Sequence, residues 1–226
     1  MLKRILFLWL LAMPVWAAQM LELNYLDQEP GTPAVPMRIL ITGQFMRIDD
    51  GHNSGDFLLL DRQANRIFNV THDRQEILKI DAGVVTMSKP AKWDVREEVT
   101  ELPKQGKGAK QVKIFVNNEM CMQITAVEDF LPDAVNALRR YNETLAAVQA
   151  KTFMATPPEL QKDCDLAQTV FEFGRELKYG LPLEATYQSG NTRRMVGYHM
   201  INLDNQLFAL PKKYRTVSLD DIRNAK

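Results

Sequence analysis

The sequence LPDAVNALRRYNETLAAVQA occupies residues 131–150, and its larger apolar residues recur at steps of three and four. That spacing places them along one face of a helix. Pro132 stands in the first turn, where a helix tolerates a residue that lacks an N–H group. The stretch therefore predicts a first helix that begins at about Leu131 and buries one apolar face.

A second helix is predicted directly after it, from Thr156 to Gly180. Thr156 with Glu159 three residues later is the pattern of a capping box, and Pro157 and Pro158 suit a first turn. Gly180 stands where a glycine commonly ends a helix. The two segments predict a helical pair over about residues 129–179. We interpret it as two amphipathic helices that cover a sheet.

Strand-sized segments flank the helical pair on both sides. The first six are separated by polar or glycine-bearing turns at even intervals, which is typical of an antiparallel meander. One of them is apolar throughout Phe57–Leu60, so we expect it to be covered on both faces. The predicted strands lie at residues 21–26, 37–42, 45–49, 57–61, 66–70, 77–81, 84–87, 95–100, 112–116, 120–126, 183–188 and 193–203. A short final helix, capped by Ser218, is predicted after them.

The first 18 residues have the pattern of an export signal. Lys3 and Arg4 precede an apolar run from Ile5 to Val15, and the small residue Ala18 closes the segment. The run is shorter than the roughly 20 residues of a membrane-spanning helix, although an uncleaved anchor is the alternative. The pattern predicts a cleaved signal peptide over residues 1–18 and one domain over residues 19–226. We expect that domain to be periplasmic, with no transmembrane span and no lipid anchor.

Charge and motif content argue against several function classes. The 28 basic residues match the 28 acidic ones, so no excess of positive charge favours nucleic acid. Catalytic and cofactor-binding patterns such as Gly-x-Ser-x-Gly, Cys-x-x-Cys and a dinucleotide glycine motif are absent from the sequence. The oxygen-rich turn at residues 49–56 does not have calcium-loop spacing. We predict no enzyme, no cofactor and no metal site.

Cys121 and Cys164 are the two cysteines of the chain. An exported protein with an even cysteine count commonly pairs them, and the bridge would join a predicted strand to the second helix. Cys121 stands between Met120 and Met122, and alternate residues of a strand point to opposite faces. If the methionines face the helices, the bridge requires a strand edge or a bulge. A soft-metal site at these residues is the alternative.

Several phrases of the sequence carry a resemblance to a known fold. They are Phe45–Asp49, Phe57–Asp61 and Arg66–Val70 in the meander, then Gly180–Leu183 and Leu207–Tyr214. With them the chain resembles exported bacterial proteins of unknown function that are related to the lipoprotein-carrier (LolA/LolB-like) fold. The resemblance implies an α+β fold: a curved antiparallel sheet, or half-barrel, with the two-helix insertion packed on its concave face. It also implies a space between sheet and helices that can hold acyl chains.

The function expected from this fold is non-enzymatic binding of a lipid or another hydrophobic ligand. The alternative is an envelope module that binds a protein partner and has a filled core without a small ligand. Apolar residues of the sheet and the helices are the candidates for lining a ligand pocket. They are Phe57, Leu59, Phe68, Met122, Leu138, Tyr141 and Phe171.

Overall fold

The computed structural model describes residues 18–224, which form one curved, unclosed sheet with helical segments on its concave side. The α+β class, the half-barrel shape and the helical insertion predicted from the sequence are confirmed. Of the predicted signal peptide, only Ala18 lies within the described residues. No helix among residues 18–224 has the length and hydropathy needed to cross a membrane.

The twelve strands occur in two groups along the chain. The first group precedes an irregular segment at residues 82–94, where the strand predicted at residues 84–87 is not formed. The first six strands are β1 (Gln19–Gln28), β2 (Val35–Ile41), β3 (Phe45–Asp49), β4 (Phe57–Asp61), β5 (Arg66–Thr71) and β6 (Glu76–Asp81). The others are β7 (Val95–Glu101), β8 (Ala109–Val116), β9 (Glu119–Val127), β10 (Leu181–Tyr187), β11 (Thr192–Asn202) and β12 (Arg215–Ser218).

The order of strands across the sheet is β12-β6-β5-β4-β3-β2-β1-β11-β10-β9-β8-β7. Neighbouring strands are antiparallel except β12, which pairs with β6 in parallel and was missed by the sequence analysis. At the centre, β1 pairs with β11, so that Leu23 lies opposite Tyr198. The meander β1–β6 therefore forms one half of the sheet, and β7–β11 form the other.

The first predicted helix is α1, Pro132–Ala155. The second is replaced by shorter pieces: α2 (Asp163–Leu166), a π-helical turn (Ala167–Phe171) and a 3-10 turn (Glu176–Tyr179). Thr156 ends α1 instead of capping a new helix, because its hydroxyl donates to the carbonyl of Thr152 at 2.9 Å. Gly174 has a φ of +68°, which a continuing helix does not allow.

A last helix, α3 (Leu219–Asn224), follows β12. Its start has the capping box predicted from the sequence. The backbone N–H of Ser218 donates to Asp221 at 2.7 Å, and the N–H of Asp221 donates to the Ser218 hydroxyl at 3.2 Å.

The two faces of the sheet carry separate apolar clusters. On the concave face, Leu58 and Leu60 pack with the neighbouring strands and with Ala134 of α1. On the convex face, Phe57 and Leu59 pack beneath the C-terminal segment that contains Phe208. Alternate residues of β4 thus face opposite sides. The prediction that Phe57–Leu60 is covered on both faces is confirmed.

The disulfide between Cys121 and Cys164 joins β9 to α2, with Cα atoms 5.1 Å apart. Its geometry depends on a bulge. In the pairing of β8 with β9, Ile114 lies opposite Met122 and Phe115 lies opposite Met120. Cys121 stands between these two pairs and has no partner on β8. The extra residue lets both Cys121 and Met122 be buried although they are adjacent. The disulfide and the bulge that it required are therefore both present.

Candidate functional site

A cavity of about 300 Å³ lies between the concave face of the sheet and the helical insertion. We refer to it as the inner cavity. Its apolar walls come from the first strands of the sheet, from β9 and from the cavity-facing side of α1. These apolar residues are Tyr25, Met37, Ile39, Ile48, Met122, Ile124, Leu138, Tyr141 and Leu177. The volume is at the lower end of the range of small-molecule sites in proteins.

The composition of α1 explains why space remains here. Its fully buried positions include Ala134, Ala137 and Ala150, whose small side chains let the helix approach the sheet. Leu138 and Tyr141 lie beside this alanine face and are only partly buried. They border the inner cavity, where no neighbouring side chain fills the remaining volume. Two residues of the larger apolar stripe thus border the cavity, and the alanines make the closest packing.

A second and more polar space of about 840 Å³ lies beside the inner cavity. We refer to it as the outer pocket. It is bordered by the β1–β2 turn, the α2 segment and the β10–β11 turn. Its ionisable side chains are of both signs: Asp27, Glu29, Asp165, Lys162 and Arg193.

The two spaces meet at three residues that border both of them: Gln168, Tyr187 and Arg193. We refer to these residues as the junction. Gln168 is fixed by a hydrogen bond from its side-chain nitrogen to the Cys121 carbonyl, at 2.9 Å. The junction places an apolar enclosure next to a polar one, which is the arrangement that an amphipathic molecule requires.

Arg193 forms a bidentate ion pair with Asp27 at the junction. Its Nε and Nη2 atoms donate to the two carboxylate oxygens at 2.8 and 2.7 Å. Burial opposes the charge of Arg193, but the Asp27 hydrogen bonds, together with charge interactions with Asp27, Tyr187 and Tyr25, outweigh burial and raise the pKa of the guanidinium. Both side chains remain 37% exposed, so the pair is accessible from the outer pocket.

Three tyrosines surround this guanidinium: Tyr25, Tyr141 and Tyr187. Burial raises the pKa of Tyr25 to about 12, and nearby Arg193 acts in the opposite direction. Burial likewise raises the pKa of Tyr141 and Tyr187. All three phenols are therefore neutral near pH 7, and they offer hydroxyl groups at the polar end of the inner cavity.

Glu176 also borders the inner cavity. Burial raises the pKa of its carboxyl, while its own backbone N–H and the charge of Arg139 lower it to a smaller extent. Among residues 18–224 it has no ion-pair partner within 4.0 Å. Glu176 is therefore a carboxyl at the cavity wall whose charge is only weakly compensated.

The structure brings together three of the seven residues that the sequence suggested for a pocket: Met122, Leu138 and Tyr141. It places the other four elsewhere. Phe57, Leu59 and Phe68 lie on the convex face, in the cluster beneath the C-terminal segment. Phe171 packs edge-on against Trp93, with ring centroids 5.6 Å apart.

The residues of the junction were missed by the sequence analysis. Arg193 and Asp27 are cross-strand partners on β11 and β1, two strands that are widely separated in the sequence. A usable signal was present in β1, where Tyr25 and Asp27 are spaced two apart and therefore share one face of the strand. Without the strand order, that spacing could not be assigned to one site.

The described residues of the site do not form a metal centre. Within residues 18–224, no group of three or more His, Cys, Asp and Glu side chains converges in a way that could hold a metal ion. The apolar walls, the neutral phenols and the charged pair at the junction are therefore the chemistry that the site offers.

Comparisons with known proteins add little to this geometry. No protein-family model and no curated protein matches the sequence. Two solved structures of PNGF-II, in different space groups, align with a TM-score of 0.46 at 13% and 12% sequence identity. The alignments cover 92% of this chain but 32% and 33% of the other chains, so this chain spans about a third of their length. At that level they assign neither a shared fold nor a shared activity.

Proposed function

We propose that this chain is an exported, periplasmic and non-enzymatic module that binds a hydrophobic molecule with a polar head group, such as a lipid. The observation that carries the proposal is that the inner cavity and the outer pocket are adjacent and share Gln168, Tyr187 and Arg193 as lining residues. An apolar chain would occupy the inner cavity. Its head group would lie in the outer pocket, where water and side chains can hydrate it.

Burial of an apolar chain supplies the driving force for this binding. Each methylene group removed from water contributes roughly 0.8 kcal/mol. A cavity of about 300 Å³ accommodates one short chain or part of a longer one. The head group then determines orientation, because the outer pocket next to the cavity carries charged side chains of both signs.

The alternative is a module with a filled core that binds a protein partner and no small ligand. The inner cavity supports the ligand proposal over this alternative, because close packing in a filled core leaves few voids larger than a water molecule. The disulfide and the absence of a membrane-crossing helix among residues 18–224 are compatible with an exported protein. The resemblance to the lipoprotein-carrier fold supports the same proposal.

Native mass spectrometry of gently purified protein tests the proposal directly. We expect a mass excess that disappears when the protein is denatured, and that mass identifies the ligand class. After delipidation, the protein should take up a fluorescent fatty acid with saturable binding. Delipidated, correctly folded protein that binds neither a fatty acid nor a phospholipid would contradict the proposal.

A pair of matched substitutions distinguishes ligand binding in the inner cavity from unspecific binding to apolar surface. Leu138→Trp introduces a larger side chain at the wall of the inner cavity and should reduce fatty-acid binding at least about tenfold. Leu210→Trp makes the same change in the cluster on the convex face, away from the cavity. This variant should bind fatty acid as the wild type does. Equal loss in both variants would mean that the inner cavity is not the binding site.

A further inference from the structure

Strand β11 has one edge that lacks a strand partner along most of its length. On the other edge it pairs with β1 from Thr192 to Asn202. Its ladder with β10 consists of three residue pairs and ends where Arg194 lies opposite Glu184. From Met195 to Asn202, no strand of residues 18–224 pairs with this edge.

The ladder ends because β10 diverges from β11. Leu183 is left out of the register between β10 and β9, which makes a bulge. Pro182 precedes it and has no N–H to donate. Beyond this point β10 follows β9, where Pro182 lies opposite Ala126. A gap therefore opens in the sheet beside the second half of β11.

Three large apolar side chains along this edge are exposed, and so are the polar side chains of His199 and Asn202. Val196, Tyr198 and Met200 are 50%, 46% and 55% exposed. Phe130, which precedes α1, packs edge-on against Tyr198 with ring centroids 5.1 Å apart. Residues 195–202 include no Lys, Arg, Asp, Glu or Pro. Unpaired backbone and uncharged apolar side chains thus occur together in one segment.

The outer edges of the sheet have the protection that this edge lacks. Edge strand β7 carries Arg96, Glu97, Glu98 and Glu101 among its seven residues. Edge strand β12 has only four residues and continues into α3. Charged side chains and short length are the usual means by which sheets prevent further strand pairing. Their absence on β11 indicates an edge that is open to pairing.

We propose that residues 195–202 of β11 bind an extended polypeptide segment, with uncharged apolar side chains at alternating positions, as an added strand. Backbone hydrogen bonds would supply affinity, and Val196, Tyr198 and Met200 would select apolar side chains. This site is separate from the inner cavity, and the proposal does not depend on ligand binding there.

The dimensions of the edge favour an extended segment over a second folded copy. Eight residues of strand span about 27 Å, and an added strand lies about 4.8 Å away. The strip of surface that such a strand would cover is therefore far smaller than the roughly 800 Å² that each partner buries in a stable interface between folded proteins.

A synthetic peptide tests the proposal. The probe is a fluorescein-labelled peptide of alternating valine and threonine with a lysine at each end, and binding is followed by fluorescence anisotropy. The matched control peptide has the same side chains but N-methylated valines, which removes donors along one edge. We expect saturable binding of the first peptide and at least about tenfold weaker binding of the second. Amide exchange should slow at residues 195–202 when the first peptide binds.

Two substitutions locate the binding. Met200→Lys places a charge on the open edge and should weaken peptide binding at least about tenfold. Val99→Lys makes a similar change at an exposed residue of edge strand β7 and should not alter binding. Circular dichroism and urea denaturation confirm that both variants are folded.

Three results would overturn the proposal. The first is no saturable binding up to about 1 mM peptide. The second is equal affinity for the methylated and unmethylated peptides. The third is a dimer of the wild-type protein in sedimentation analysis that Met200→Lys dissociates, which would assign the edge to a second copy.

Discussion

Cys121 and Cys164 fix the α2 segment to the β8–β9 hairpin, with Cα atoms 5.1 Å apart. Two hydrogen bonds reinforce this connection. Gln168 donates to the Cys121 carbonyl at 2.9 Å, and the Asn117 amide donates to Asp163 at 2.7 Å. Because the same segment borders the outer pocket, these contacts hold one wall of the proposed binding site.

Removal of the disulfide should destabilise the protein. Its two cysteines are separated by 43 positions, and the loop-entropy relation gives about 4 kcal/mol for a loop of this length. We expect the double variant Cys121→Ser, Cys164→Ser to lose about 2–4 kcal/mol of unfolding free energy, measured by urea denaturation. Wild-type protein denatured in dithiothreitol should show a similar loss. An unchanged midpoint in both would contradict this account.

Gly180 should be far less tolerant of substitution than another glycine with positive φ. Its φ is +104°, and a Cβ atom there would lie 2.0 Å from the carbonyl oxygen of Val127. Gly31 has a φ of +79° but no atom within 4 Å of the corresponding position. We expect Gly31→Ala to cost about 1 kcal/mol from backbone strain alone and Gly180→Ala to cost at least about 3 kcal/mol. Urea denaturation of both variants measures the difference, and equal losses would argue against the steric cause.

Glu176 should make stability fall as the pH rises. Burial raises the pKa of its carboxyl in the folded protein above the unfolded value of about 4.3. The folded state therefore binds more protons between these two pKa values, and the unfolding free energy decreases as pH rises through that interval. We expect Glu176→Gln to be more stable than wild type at pH 7, and the difference to vanish below about pH 4.

Glu172 provides a control, because its substitution should change the unfolding free energy at pH 7 in the opposite direction. Burial raises the pKa of its carboxyl, but hydrogen bonds from Lys89 and Arg175 outweigh burial and lower it overall. Its contribution to stability is present above the unfolded pKa and is lost as pH falls through the folded pKa. Glu172→Gln should therefore destabilise the protein at pH 7, measured by urea denaturation across the same pH series. If both substitutions changed the unfolding free energy at pH 7 in the same direction, the pKa shifts assigned to Glu176 and Glu172 would be contradicted.

The Arg193–Asp27 pair should determine the preference for an anionic head group. Arg193→Gln removes the positive charge at the junction, whereas Asp27→Asn removes the carboxylate that neutralises it. Because the pair is partly exposed and screened, we expect changes of up to about fivefold. Dodecanoate should bind more weakly to Arg193→Gln and more tightly to Asp27→Asn, measured by displacement of a fluorescent fatty acid. Dodecanol is the uncharged control, and its affinity should not change in either variant.

The sequence predicted most of the sheet because local signals determine most strands. Phe45–Asp49 and Phe57–Asp61 form strands with the predicted bounds, since turn residues mark both ends of each segment. The second helix was misassigned because its capping residues have another use. Thr156 ends α1, and Pro157 precedes a 3-10 turn that begins at Pro158. The same residue types that start a helix can also close the preceding one.

The candidate site was less predictable from the sequence. Its lining depends on which segment of the chain covers each face of the sheet. Phe57 and Leu59 are as apolar as Leu58 and Leu60, and periodicity alone cannot say which pair faces the helices. The answer comes from the C-terminal segment around Phe208, which covers the convex face. Arg193 and Asp27 likewise become neighbours only through the pairing of β11 with β1.

The pairing of β1 with β11 has a consequence for how the protein folds. Gln19–Gln28 lie against Thr192–Asn202, so the centre of the sheet joins segments from near opposite ends of the chain. Contacts between residues so distant in sequence form slowly, because a long loop must close before they gain any energy. The meander can assemble early, but the two halves of the sheet join only after nearly the whole chain has emerged. A chain delivered residue by residue, as in synthesis or export, therefore completes the proposed binding site last.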